Sequence, residues 1–281
     1  MTALALMDPI VPEAATPRTI RAEGRVRARF QALQRITRVA ELYESGGYRL
    51  KFPHGPRCEA VLVNTGGGMV GGDELALTLQ ADEDAEFVFT TQSAEKLYRA
   101  EGVPAEISIA LKLDARARIE WVPQETILFS GARLSRKFIV DMARDASLLV
   151  FESTVFGRIA MGEVLSDGMF RDHWRIRRDQ KLIYADDVKL ENNMAALLER
   201  KAIGNGARAV ATCLYIAPDA EARLQDARDA LRDAACECAA SAWNGMMILR
   251  FVSPDPAALR RSAVAFLNRF RNTDLPRVWQ C

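Results

Sequence analysis

The chain reads as a mainly β protein that acquires helices in its C-terminal third. Apolar and polar residues alternate in one short segment after another over about two-thirds of the chain. Turn-forming glycine, proline, asparagine and aspartate separate these segments. Near residue 190 the apolar spacing changes to the three-and-four pattern of a helix face.

In chain order, Arg25 to Ala32 forms the first strand, with Val26, Ala28, Phe30 and Ala32 on one face. Val39 to Tyr43 and Tyr48 to Phe52 flank Glu44-Ser45-Gly46-Gly47, which predicts a hairpin. Alternation recurs at Phe87–Phe89, Ile107 to Leu113 and Ile119/Trp121, and further apolar runs fall at 138–140, 148–151, 173–176 and 182–184. Asn192 to Lys201 has helical spacing and is stopped by Gly204-Asn205-Gly206. A strand over Ala209 to Ile216 precedes a helix entered through Pro218-Asp219, with Leu224, Ala227, Leu231 and Ala234 on its apolar face. After a strand over Met247 to Val252, Asp255 caps a last helix with Pro256 in its first turn and Leu259, Val264, Leu267 and Phe270 inward. These helices are expected to cover one sheet of the β body.

Residues 1–24 read as a flexible tail, because Pro9, Pro12 and Pro17 break it and no basic signal-peptide region begins it. Residues 25–281 show no composition break, so one domain is expected, with a β-rich body over 25–190 and an α/β part over 191–281.

Composition excludes several classes. With 281 residues, 49% hydrophobic and 27% charged, the chain can bury a sizeable core. Lys+Arg 38 against Asp+Glu 37 gives a net charge of +1, which calls for neither nucleic acid nor an anionic membrane. No run approaches the ~20 apolar residues that span a bilayer. Near-neutrality fits a protein that lives in a complex. The five cysteines, Cys58, Cys213, Cys236, Cys238 and Cys281, are odd in number and lack framework spacing, so reduced thiols of a cytoplasmic protein are expected. Cys236 and Cys238 fall in a helical pattern, where two positions apart point different ways and chelate poorly.

Five glycines crowd into Gly66 to Gly72, between Glu59–Asn64 and Leu75/Leu77/Leu79. Gly66-Gly67-Gly68-Met69-Val70-Gly71 satisfies a dinucleotide fingerprint in letters alone. That fingerprint needs a helix immediately afterwards, and the residues after Gly72 have the period of a strand. The stretch is expected to be a β-to-β crossing with an unusual backbone path.

Enzymatic chemistry has little to stand on. The two histidines, His54 and His173, lie in unrelated contexts, and there is no H-E-x-x-H, C-x-x-C or nucleophile elbow. Polar side chains do cluster after strands, at Thr90 to Arg99, Trp121 to Arg133 and Phe151 to Glu163. Glu125, Glu152 and Glu163 sit there among apolar neighbours, so each must be hydrogen-bonded, hydrated or ion-paired, with Arg99, Arg133 and Arg158 as candidate partners.

Gly67-Gly68-Met69-Val70-Gly71-Gly72-Asp73, Thr90-Thr91-Gln92 with Lys96-Leu97-Tyr98-Arg99, Pro123-Gln124-Glu125-Thr126 with Phe129-Ser130-Gly131-Ala132-Arg133, and Phe156-Gly157-Arg158 with Gly162-Glu163 resemble, in order and spacing, the urease accessory protein UreD (UreH) family. The ending Pro276-Arg277-Val278-Trp279 matches too, and the resemblance runs from about Arg25 onward. Two departures are Thr65-Gly66 before the glycine loop and the glycine-free turn Arg178-Asp179-Gln180-Lys181.

The resemblance implies a large, stacked, β-helix-like strand body with two to three helices packed on it. It implies a non-enzymatic, cytoplasmic maturation chaperone that binds apo-urease with UreF and UreG, UreE donating nickel and GTP entering only through UreG. It also implies an internal passage for Ni²⁺, with no cofactor tightly bound and no fixed metal site. Carboxylate and hydroxyl oxygens would suit such transit, since they hold Ni²⁺ less firmly than imidazoles or thiolates. Thr90, Thr91, Gln92, Glu125, Asp141, Glu152 and Glu163 are the candidates for that path. The motif residues Gly67, Gly68, Gly71, Gly72, Asp73, Lys96, Tyr98, Arg99, Pro123, Gln124, Phe129, Gly131, Arg133, Gly157, Arg158 and Gly162 are expected to shape the backbone or touch a partner. A β-rich interaction scaffold unrelated to urease is the alternative, separated by co-purification with apo-urease.

Overall fold

In the computed structural model, residues 21–280 except 164 and 166 are described; most of the expected tail and Cys281 lie outside them. Strand β1 (Glu23–Leu33) turns back through Gln34 and Arg35, with φ of 51° and 66°, into β2 (Ile36–Ser45). β3 (Tyr48–Lys51) and β4 (Glu59–Asn64) then pair in a second sheet. The hairpin expected across Glu44-Ser45-Gly46-Gly47 is corrected: β2 pairs with β1 and β3 with β4, so the two glycines form a corner between sheets. Alternation reveals that strands flank the corner but not which sheet each one joins.

From there the chain circulates. β5 (Glu74–Ala81) lies in the first sheet and β6 (Glu86–Thr91) in the second, while β7 (Glu95–Leu97) starts a short third face. β8 (Ala105–Leu113), β9 (Arg118–Trp121) and β10 (Thr126–Leu128) repeat that sequence of faces. β11 (Arg133–Met142) and β12 (Ser147–Phe156) repeat it again, the end of β12 supplying the third face itself. Each circuit lies parallel to the one before: β1, β5, β8, β11 and then β13 (Met169–Arg178) in one sheet, β4, β6, β9 and β12 in the other. This is a solenoid, the expected stacked β-helix-like body.

Parallel register stacks like residues into columns. Val26, Leu77, Ile109, Phe138 and Trp174 occupy one column of the first sheet. Facing them, the Phe89 and Trp121 rings of the second sheet stack 4.0 Å apart. The first sheet is covered on one side only, so β5 and β8 alternate strictly between exposed and buried. Its outermost strands are antiparallel: β2 at one end and β14 (Lys181–Glu191) at the other, the latter turning through Asp179 and Gln180 without a glycine. Register slips by one residue on each, leaving Ala40 of β2 and Ile183 of β14 without a partner.

The C-terminal third extends the second sheet. α1 (Met194–Glu199) leads to β15 (Ala209–Ile216), which runs antiparallel to β12. α2 (Leu224–Ala230), β16 (Glu237–Trp243), β17 (Met246–Ser253) and α3 (Pro256–Arg271) complete it. α2 and α3 cover the outer face of this sheet and form a second core around Phe151, Phe251 and Phe266. β12 is therefore buried almost throughout. Asp255 caps α3 as expected, accepting from Ala257 N at 2.9 Å. The helical reading of Cys236 and Cys238 is corrected. Cys238 lies in β16 and Cys236 just before it, so their i, i+2 spacing follows a strand period. A run of small residues, Ala239-Ala240-Ser241-Ala242, hides that period from a sequence reading.

Candidate functional site

The glycine stretch joins β4 of the second sheet to β5 of the first, the expected β-to-β crossing. Two polar side chains template its path. Asn64 Oδ1 accepts from Gly66 N at 2.9 Å while its Nδ2 donates to Glu95 Oε1 at 2.9 Å and Tyr48 Oη at 3.1 Å. Asp73, 7% exposed, accepts from Val70 N at 2.8 Å and from Ala22 N at 2.9 Å. Burial pushes the Glu95 carboxyl up to about 7, and the nearby Asp73 charge adds to that against the Asn64 bond.

Glu95 begins a polar file through an apolar interior. Parallel pairing sets Glu95 of β7 beside Thr126 of β10, and Thr126 beside Thr154 of β12. Both threonines are buried. Thr154 opens on a cavity of about 260 Å³ between the sheets, whose polar lining includes Arg136, Glu152, Asp172, Asp186 and Arg250. Arg136 bridges two carboxylates there: its Nε and Nη2 reach Asp172 at 2.9 and 2.5 Å, and Nη1 donates to Glu152. Trp121 Nε1 supplies a further bond to Glu152 Oε1 at 2.6 Å. Burial raises the Glu152 pKa, Arg136 opposes the rise and Asp172 reinforces it. Arg136 thus serves two carboxyl groups at once, and Arg250 pairs with Asp186 in the same cavity.

Several of the family-motif stretches meet on the third face. Met69, Leu97, Leu128 and Phe156 stand in one column, one residue per circuit. Beside that column, Tyr98 meets Phe129 edge to face at 5.1 Å, and the Arg158 guanidinium lies 4.5 Å over the Phe129 ring. Glu163 pairs with Arg158 at 2.9 Å, as the ion-pair reading of these residues allowed. Gly67 and Gly68 precede Met69, the first rung, Gly71 and Gly72 follow it, and Gly131, Gly157 and Gly162 lie in the loops after later rungs. Arg133 approaches Glu191 at 3.6 Å.

The other path candidates lie elsewhere. Thr90 Oγ1 accepts from Trp279 Nε1 at 3.2 Å, and Thr91 Oγ1 from Gln124 N at 2.9 Å. Gln124 Nε2 donates to Gln92 O and to Val278 O, both at 2.9 Å, beside buried Pro123. Glu125 accepts from Arg260 Nη1 at 2.6 Å. This set clasps the C-terminus to the outer side of the second sheet. Asp141 is exposed on β11, since Val140 and Met142 take the inward positions. Of the path candidates, Glu152 alone lines the cavity between the sheets. Sequence reasoning missed Asn64, Thr126, Thr154, Arg136, Asp172 and Asp186. For Thr126 and Thr154 the signal was the repeat Glu95-Lys96-Leu97, Thr126-Ile127-Leu128, Thr154-Val155-Phe156, which is the third face written three times; the others carried none. Among the described residues no group of three or more His, Cys, Asp or Glu could hold a metal ion.

A sequence profile described as UreD urease accessory protein matches residues 22–280. The chain belongs to the UreD urease accessory protein family. Its relatives span its length: the urease accessory protein UreD of Azorhizobium caulinodans is 47% identical over 268 residues, covering 95% of this chain and 99% of the relative. That of Xanthobacter autotrophicus is 47% identical over 277 residues, covering 97% and 96%. That of Methylobacterium sp. is 46% identical over 277 residues, covering 96% and 98%. UreD membership implies a role in urease maturation. No helix among the described residues is long and apolar enough to cross a membrane.

Proposed function

We propose that this chain is a non-catalytic scaffold of urease maturation in the cytoplasm. It binds apo-urease with UreF- and UreG-type partners, and it offers Ni²⁺ from a UreE-type donor a passage through the solenoid. GTP enters only through the UreG-type partner. The observation that carries this reading is the file Glu95–Thr126–Thr154 leading to Glu152 and Asp172 across an otherwise apolar interior. The Glu95, Glu152 and Asp172 carboxyl groups supply oxygen ligands along the route, and the threonine hydroxyls supply neutral oxygen between them. Neither class holds Ni²⁺ as firmly as a set of imidazoles or thiolates. Such a route lets the ion move on.

The test is co-expression with the urease subunits and the other accessory proteins. Glu95→Gln and Glu152→Gln are each expected to lower the nickel content and activity of the recovered urease, while pull-down shows the assembly intact. Wild-type nickel loading by both variants in intact complexes rules the passage out.

A further inference from the structure

The geometry points to the third face of the solenoid as a docking surface for an acidic segment of a partner protein, gripped by Lys96, Tyr98, Arg99 and Phe129. This rests on the maturation reading and adds the place and chemistry of one contact. Two glycines act as seats for exposed side chains. A Cβ at Gly68 would stand 2.5 Å from the Tyr98 ring, and one at Gly131, where φ is +78°, would stand 2.8 Å from Cγ of Arg99. Tyr98, 40% exposed, is held further by its hydroxyl donating to Gly67 O at 3.1 Å and by the edge of Phe129. Arg158 covers the other side of Phe129, itself fixed by Glu163. The exposed Tyr98 ring is thus held in place before anything binds it, with the Arg99 stem lying against Gly131 beside it. Side chains ordered in advance lose less entropy on association.

The surroundings fit an interface. Val103, Ile159 and Met161 are exposed on the adjoining loops. Tyr, Phe, Met and Arg are the residue types enriched where proteins meet. The sign of the charge selects the occupant. Arg158 is neutralised by Glu163, whereas among the described residues Lys96 and Arg99 form no ion pair. A second copy of this chain laid across a two-fold axis would set these cations against each other. Carboxylates of a different protein would meet them with opposite charge.

The purified full-length chain, immobilised, is offered apo-urease and the UreF-type partner, separately and together, at low and high salt. Lys96→Glu and Arg99→Glu are each expected to weaken capture of at least one of these probes by about tenfold or more, as is Tyr98→Ala. Wild-type capture is expected to fall with added salt. Tyr43→Ala, at an exposed aromatic of β2, should bind as wild type, and it and the two charge-reversal variants should keep the wild-type melting temperature. Wild-type affinity in both charge-reversal variants overturns the surface while leaving the maturation reading standing. So does an equal loss in Tyr43→Ala, or self-association that Arg99→Glu abolishes. Capture of neither probe by the wild-type chain removes the maturation reading and the docking surface together.

Discussion

Arg271 Nε donates to Glu120 Oε2 at 2.7 Å, and only 1% and 2% of the two side chains remain exposed. The pair ties the last turn of α3 to β9, and Arg57 completes the carboxylate with a bond to Oε1 at 2.6 Å. Burial alone would raise the Glu120 pKa, but Arg271 and Arg57 hold it below the usual carboxylate range. Removing Arg271 leaves the buried Glu120 charge with only the partly exposed Arg57 and the more distant Arg118. Arg271→Met is expected to destabilise the chain by about 1–3 kcal/mol in urea melts. Adding Glu120→Gln should recover part of that loss, because the under-compensated buried charge goes too. The contribution of Glu120 is present above the ordinary carboxylate pKa and lost as pH falls through its lower folded value.

Glu95 works in the opposite sense. Its folded pKa of about 7 lies above the ordinary carboxylate value, so between the two the folded state holds a proton that the unfolded state has released. Stability from this group therefore rises as pH falls from about 7. Glu95→Gln, which mimics the protonated acid, is expected to be more stable than wild type at pH 8 by about 1–3 kcal/mol. The gap should close toward pH 4.5. Urea melts of both proteins across that range check this, and a gap that stays constant with pH contradicts the assignment.

Trp279 is a structural anchor. Its indole donates to Val122 O at 3.0 Å and to Thr90 Oγ1 at 3.2 Å, and Arg260 lies 4.9 Å over the ring. Trp279→Ala is expected to cost about 3–5 kcal/mol by thermal or urea denaturation. Because the clasp lies outside the cavity between the sheets, urease that does mature beside this variant should carry a normal nickel content. A variant of wild-type stability that matures urease poorly would instead give Trp279 a direct part in function.

Strand parity explains what could be read in advance. Val26, Ala28 and Phe30 face inward as expected, because the first sheet has one wet face and its alternation is clean. Glu152 was legible as a carboxylate inside an apolar run. The same parity, applied to Phe138, Val140 and Met142, turns Asp141 outward and removes it from any interior path. Other features depend on contacts between distant segments. Asp172 and Glu152 meet only because β11 carries Arg136 between them. Thr126 and Thr154 are ordinary buried threonines until parallel register places them beside Glu95. Gly46 and Gly47 announce a turn without saying that it changes sheets. The resemblance to a family located the motif stretches, and the solenoid shows that Met69, Leu97, Leu128 and Phe156 within them are successive rungs of one face.

The unpartnered Ala40 and Ile183 lie on the two rim strands of the seven-stranded sheet. A rim that is locally out of step is a poor template for another strand, which works against copies of the chain adding end to end. For a polypeptide with almost no net charge to keep its copies apart, these two irregularities guard against polymerisation while it waits for its partners.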